Sequence, residues 1–336
     1  MEREYAILTI LGLGVFLAVL GMLTGLSIFD ANSFNTYALQ ADSWRQGRLD
    51  LLENYSWLEI AQYQGKYYCS FPPFPSYVLF PLTFLFGSNT PDGLVLFFFD
   101  VLAVLCLYKI ALHFDHSPQT ACFEALFFTI CTNMTFVMYN PAVWFLAQSM
   151  SFALAACSIY MALKGKGGFS LFFWSCGVGC RPMQALFLPV LLFLLYKNER
   201  EKMPDKKWYE LILAKAYWAL PALGIAISYM VLNQLRFGNV AEFGHNYLPE
   251  FLYEHQQFST GYLAGNFKML MHLPQFDENG KMMIDHFGNL NFLWVNPPIL
   301  IALIGILFAC IRREKRAVIV GVMTIVLSAC YLIVTM

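Results

Sequence analysis

Charge is what this chain has least of. Asp, Glu, Lys and Arg make up 13% of its 336 residues, against about 25% in a soluble domain. The formal net charge is −1, and no basic patch exists outside short loops, which argues against nucleic acid as a partner. A Gly-rich phosphate loop of the G-x-x-x-x-G-K-[ST] type is absent, so the chain has no ATP-hydrolysing part of its own. No internal repeat is visible, which weakens the inverted-repeat reading expected of many secondary transporters. The six histidines (His113, His116, His245, His255, His272 and His286) lack a ligand spacing such as His-x-x-x-His. No metal site is expected, although His272, Asp277 and Asp285 share one loop and keep a metal from being excluded there.

Cysteine is present nine times without reading as a disulfide set. Cys106, Cys122, Cys131, Cys157, Cys176, Cys180, Cys310 and Cys330 fall in apolar runs, where a thiol acts as a small packing residue. Cys69 sits in a polar loop with no partner there. Cys176 and Cys180 are four apart, but no second pair accompanies them. The triplet Asn54-Tyr55-Ser56 matches a glycosylation acceptor and reads as chance.

What is abundant is hydrocarbon. The chain is 58% hydrophobic and 17% aromatic, with mean hydropathy +0.55, the composition of an integral membrane protein with aromatic belts at the headgroup level. The expected fold is an all-α polytopic bundle, one transmembrane domain over 1–336. The first apolar run, from Tyr5 to Phe29, is too long for a signal-peptide core and lacks a cleavage site, so it stays as an anchor helix. Runs suited to a helix of about 20 residues are 5–29, 93–113, 119–139, 141–163, 211–233, 293–311 and 317–336. Two stretches are awkward. Residues 74–87 are short and interrupted by Pro75 and Pro81; residues 169–196 are too long for one upright span and carry Arg181-Pro182 in the middle.

Lys and Arg collect on the cytoplasmic side. Lys164 and Lys166, KNEREKMPDKK (197–207) and RREKR (312–316) all fall inside if 74–87 lies on the outer surface and 169–196 folds as a hairpin. The rival threading lets 74–87 cross and 169–196 run as one tilted span, putting Lys164 and Lys166 outside. Both give about nine crossings with a cytoplasmic N-terminus. The hairpin is preferred, because Pro breaks a helix and an Arg in mid-membrane is costly. Two large loops then face outward: 30–91, with amphipathic surface helices, and 234–292. The chain stops at Met336 inside an apolar run, which reads as a fragment.

Four stretches, in this order, carry a family likeness: FNTYALQADSWRQGRLDL (34–51), GKYYCSFPPFPSYVLFPLTFLFG (65–87), GVGCRPMQALFLP (177–189) and LRFGNVAEFGHNY (235–247). Together with the single span before them they resemble an uncharacterised bacterial branch of the GT-C membrane glycosyltransferases. That superfamily includes protein O-mannosyltransferases and aminoarabinose transferases. The resemblance implies transfer of a sugar from a polyprenyl-phosphate donor to an acceptor at the outer face of the plasma membrane, with inversion. It implies no cofactor; membrane lipid and the lipid-linked sugar are the partners. An outer-loop carboxylate would act as base while basic residues hold the leaving phosphate. The family's acidic pair past the first helix is missing, since the segment before Tyr37 reads DANSFNT.

Asp30 is the one carboxylate at the first helix's exit: a catalytic base, or a residue that solvates the helix end. Asp42 is the next candidate, for catalysis or acceptor binding, or simply paired with Arg45. Asp50 and Glu53 read as loop solvation. For substrate binding the candidates are Arg181, Arg236, Lys66, Tyr37, His245 and Glu242. Arg suits phosphate through its planar fork; the bland alternatives are a snorkelling anchor for Arg181, a stop-transfer flank for Arg236 and an interfacial anchor for Lys66. Two other functions remain open: an inactive relative that binds a glycan lipid, and a transporter or lipid flippase.

Overall fold

A computed structural model describes residues 1–25, 27–29, 32–249, 259–273, 275–283, 292–314, 319 and 321–323. The chain is mostly helical and forms two compact units, Met1–Leu126 with Phe136–Glu254, and Phe127–Thr135 with His255–Met336.

The first unit holds the long helices. Helix α1 (Glu2–Thr24) opens on Glu2 and Glu4, whose charge suits the positive end of the helix dipole. It closes on Gly25 in the left-handed region at φ 73°, where the Gly25 N–H caps the Gly21 carbonyl. Helix α2 (Thr36–Arg45) follows, then a hairpin of β1 (Ile60–Tyr63) and β2 (Lys66–Cys69). Its two-residue turn, Gln64-Gly65, has positive φ at both positions, which matches the twist of antiparallel strands. The sequence reading assigned only helices to this loop; the hairpin is an addition to it.

Next come α3 (Phe74–Phe86), α4 (Asp92–His113), α5 (Pro118–Ile130) and α6 (Met134–Val137), whose facing ends at 127–135 belong to the second unit, then α7 (Val143–Leu163) and α8 (Gly167–Val178). A 3-10 turn over Pro182–Phe187 leads into α9 (Leu188–Lys202); α10 (Trp208–Lys215) and α11 (Leu220–Phe237) complete the unit. Among the described residues four helical stretches have the length and apolarity to cross a membrane: Glu2–Thr24, Asp92–His113, Val143–Leu163 and Trp208–Phe237. The span expected at 119–139 is divided, because α5 ends at Ile130 and Thr132 and Asn133 interrupt the helix. The span expected at 211–233 begins earlier and tightens to 3-10 over Ala216–Ala219. Most of the span expected at 317–336 lies outside the described residues.

Helix α7 is the hub. It packs on α4 and α8 through a face rich in Ala and Ser, among them Ala147, Ser149, Ala153, Ala156 and Ser158. Small residues let backbones approach where lipid removes the hydrophobic drive for helix association. Ser158 and Ser170 each donate to the other's carbonyl, at 3.0 and 2.9 Å, clamping α7 to α8. Asp100 on α4 accepts from Ser149, and its second oxygen is buried with no partner among the described residues.

The 169–196 stretch doubles back. Leu171 packs with Leu191 and Leu195 in one buried cluster, whereas a straight helix would separate 171 and 195 by about 36 Å. Asn198 donates to the Leu163 carbonyl at 2.9 Å, so the Lys164/Lys166 turn and the 197–207 loop meet at one end of the unit. This basic end also holds Lys215, which reaches Glu199 at 3.0 Å. The opposite end gathers the first loop. There the Val143 N–H donates to the Phe34 carbonyl and the Phe74 N–H to the Gly179 carbonyl, both at 2.9 Å. Both ends of α3 lie there, because Asn35 also binds the Ser88 carbonyl at 3.2 Å.

In the second unit, α12 (Leu263–Leu270) precedes a short ladder of β3 (Gln275–Phe276) and β4 (Met282–Met283), then α13 (Phe292–Val295) and the apolar α14 (Pro297–Ile311). Asn296 and Asn133 bond reciprocally, at 3.0 and 3.2 Å.

Candidate functional site

The loop end of the first unit brings together side chains far apart in sequence. Helix α2 stands on α3 through Ser76, whose hydroxyl donates to Gln40 Oε1 at 2.8 Å and lies 3.0 Å from the Tyr37 carbonyl. That contact fixes the Tyr37 ring, which is buried against Phe71. The Tyr37 hydroxyl has no hydrogen-bond partner among the described residues. Burial pushes its pKa well above the usual phenol value; Arg181 nearby pulls it down, and Cys69, Cys180 and Glu59 push it up. Tyr37 therefore lies within the electrostatic reach of both Arg181 and Glu59.

Arg181 is placed by the break between α8 and the 3-10 turn, where extended backbone at φ −141° stops the helix before Pro182. Its Nη2 donates to the Trp144 carbonyl at 2.6 Å, while its buried Nε has no partner among the described residues. Trp144, at the start of α7, donates its indole N–H to Glu59 Oε1 at 3.1 Å. Glu59 is itself anchored, its carbonyl accepting from Ser70 at 2.8 Å. A half-buried carboxylate and a half-buried guanidinium thus grip one tryptophan from its two ends, beside a buried phenol.

Chemically this offers a proton acceptor next to an anion-binding donor, the two groups that transfer of a phosphate-linked substituent needs. An apolar groove of about 550 Å³ runs along α1 toward its loop end, lined by Gly14, Ala18, Gly21, Phe29, Phe97 and Tyr139.

The other expected site residues fall elsewhere. Asp30 lies outside the described residues. Asp42 is engaged on both oxygens, Oδ1 by Arg45 at 2.7 Å and Oδ2 by Gln46 at 2.7 Å, beside a depression of about 100 Å³. No hydrogen bond or ion pair joins it to Arg181, Arg236 or Lys66 among the described residues. Lys66 is exposed and stands 3.8 Å from Asp50.

Arg236, in the last turn of α11, is 2% exposed. It donates to the Cys69 carbonyl at 3.2 Å and to Asn233 Oδ1 at 3.0 Å, and lies 4.8 Å from the Phe237 ring centre. This is a staple between α11 and β2. Glu242 accepts from the Gly244 N–H and from Asn246, both at 2.6 Å, and so shapes the turn that carries His245. Among the described residues no three His, Cys, Asp or Glu side chains converge as a metal site.

Nothing in the sequence assigned a role to Glu59 or to Trp144. The two are 85 positions apart, and no local spacing signals such a pair. No family model matches the chain, and no curated protein or solved structure matches it.

Proposed function

We propose that the chain is a membrane glycosyltransferase that moves a sugar from a polyprenyl-phosphate donor to an acceptor hydroxyl, with inversion, at the loop end of the bundle. The observation that carries this reading is the Glu59–Trp144–Arg181 arrangement beside Tyr37. Arg181 holds the donor phosphate, its unpartnered Nε directed to charge that grows as the glycosidic bond breaks. Glu59 or Asp30 takes the acceptor proton. The groove along α1 receives the first isoprenoid units. The loop end faces outward and the basic end lies in the cytoplasm with the N-terminus, in keeping with the distribution of Lys and Arg. The plasma membrane is the proposed location.

The test is transfer from a polyprenyl-phosphate sugar by the reconstituted chain. Glu59→Gln and Asp30→Asn are compared with Trp144→Phe, which removes the indole donor and keeps both acids. Loss of the base costs roughly two to four orders of magnitude in rate, with donor binding kept, since a base acts on the transition state. Arg181→Ala weakens donor binding as well. Full rates in both carboxylate variants and in their combination would remove the mechanism. A second reading, an inactive glycan-lipid-binding relative, is favoured by the missing acidic pair and by the engagement of both Asp42 oxygens. It is the answer if no transfer occurs and Arg181→Ala still abolishes binding of the lipid-linked sugar.

A further inference from the structure

The basic end carries a second constellation, independent of the loop end. The α7–α8 turn presents Lys164 and Lys166, both exposed. It sits directly on the end of α9: a Cβ added at Gly165 would lie 2.7 Å from the Lys202 ammonium. Glu199, 4% exposed, holds Lys202 at 2.7 Å and Lys215 at 3.0 Å, fixing α9 to α10. Arg200 donates to the Lys206 carbonyl and closes the intervening turn. Lys164, Lys166, Lys206 and Lys207 are then left exposed, with no carboxylate within ion-pair distance among the described residues. One acid serves the inner pair of lysines, and the outer four face solvent.

Beside these lysines α10 turns its apolar residues outward. Trp208, Ile212 and Leu213 are exposed, as are Tyr217 and Leu220 just beyond, while Leu211 is buried. The stretch Trp208–Phe237 has 30 residues, about 45 Å as a helix, against a hydrocarbon core of about 30 Å. The excess is taken up by tilt or by one end entering the headgroup layer, and the α10 end, with Lys206, Lys207 and Lys215 beside Trp208, is the one whose side chains belong there. Exposed aromatic and aliphatic side chains flanked by lysines without a carboxylate partner, two of them over the rings of Tyr160 and Tyr209, make at that depth an interfacial surface that selects lipid by charge.

We infer that the α7–α8 turn, the end of α9 and α10 together form a binding surface for anionic phospholipid headgroups of the leaflet they touch. The four outer lysines contact the phosphates, and α10 seats its apolar face among the adjoining acyl chains. This surface is separate from the proposed transfer site and does not depend on it.

The test uses the full chain in phosphatidylcholine vesicles containing a minority of brominated phosphatidylglycerol or, in parallel, brominated phosphatidylcholine. The signal of interest is the fluorescence quenching that disappears in Trp208→Phe. Quenching by the brominated anionic lipid should exceed that by the zwitterionic one roughly threefold or more, and concentrated salt should shrink the difference. Glutamine at positions 164, 166, 206 and 207 should abolish the preference, and the pair Lys206→Gln, Lys207→Gln should reduce it; exposed positions leave the fold intact. Equal quenching by the two lipids would overturn the inference, as would a preference that persists in the four-lysine variant.

Discussion

Arg181 and Arg236 carry the same guanidinium in different surroundings, although the Nε of each is buried with no partner among the described residues. Arg236 is enclosed by α11 and β2 and uses both terminal nitrogens, on the Cys69 carbonyl and on Asn233. Arg181 uses one donor on Trp144. We therefore expect Arg236→Met to lower stability by about 2 kcal/mol, because it leaves buried acceptors unmatched. Donor affinity per folded molecule should stay unchanged, as thermal unfolding alongside a binding isotherm will show. Arg181→Lys should do the reverse, keeping the fold and weakening donor binding, since a point charge replaces a fork. Glu199 supplies a pH test. Burial raises its pKa, but the hydrogen bonds and charges of Lys202 and Lys215 outweigh that and hold it below the usual 4.5. A depressed carboxylate stabilises the fold above its unfolded value and loses that contribution as pH falls through its folded one. Acid should thus loosen α9 from α10 below about pH 4.5. Glu199→Gln should remove that part of the pH dependence and cost about 1 kcal/mol at neutral pH, Lys202 being half exposed. An unchanged unfolding profile from pH 3 to 7, on the order of the carboxylate range, would count against the triad. Sequence made the types of these residues plain and their partners invisible: both arginines were phosphate candidates, and only the packing of residues 69 and 144 separates them.

At the scale of elements, what was legible followed from length. Helices α1, α4 and α7 are near-continuous apolar runs, and a run of more than 20 such residues leaves few alternatives. The turn at Arg181-Pro182 was legible too, from proline chemistry. The division of 119–139 was not, since its composition is that of a span. It breaks where Thr132 turns its hydroxyl back on the Phe128 carbonyl at 3.2 Å and Asn133 bonds Asn296, a partner 163 positions away. The β1–β2 hairpin was missed because Gln64-Gly65 is a weaker turn signal than Asn-Gly or Asp-Gly. The junction of α1 and α4 allows a sharp test. A Cβ added at Gly93 would stand 2.3 Å from the Ile28 carbonyl oxygen, a backbone atom that cannot swing aside. Gly93→Ala should cost roughly 1 to 3 kcal/mol, the usual range for overpacking. Gly14→Ala, on a face with open space, should be close to neutral. Comparable melting temperatures for the two variants would show that the junction is looser than drawn.

At the largest scale, the first unit has two distinct ends. The first loop, the hairpin, Arg181 and Arg236 gather at one; the turns at 163–167 and 198–218 gather at the other. With the native cysteines replaced, Asn54→Cys should react with a membrane-impermeant maleimide in intact cells, and Asp205→Cys should react only after permeabilisation. The reverse pattern would invert the proposed orientation. Charge bias already favoured the hairpin threading over its rival; the contact between residues 163 and 198 agrees with it, because the chain must return between them.

Asp100 bears on how such a chain is made. An aspartate near the centre of a span costs about 2.5 to 3.5 kcal/mol to partition laterally from the translocon into lipid. Its partner Ser149 is 49 positions downstream, and at roughly 5 to 20 residues per second it emerges some seconds after α4 has entered the channel. During that interval the aspartate offsets a large part of what the Leu, Phe and Val residues of α4 gain in lipid, roughly 0.3 to 0.6 kcal/mol each, and so slows its release alone. We expect biosynthesis to favour an order in which α4 lingers beside the channel or its insertase until α7 arrives. Asp100→Leu, by removing the reason to wait, would let α4 depart early, and the consequence would be read in ribosome-bound nascent chains rather than in the finished protein.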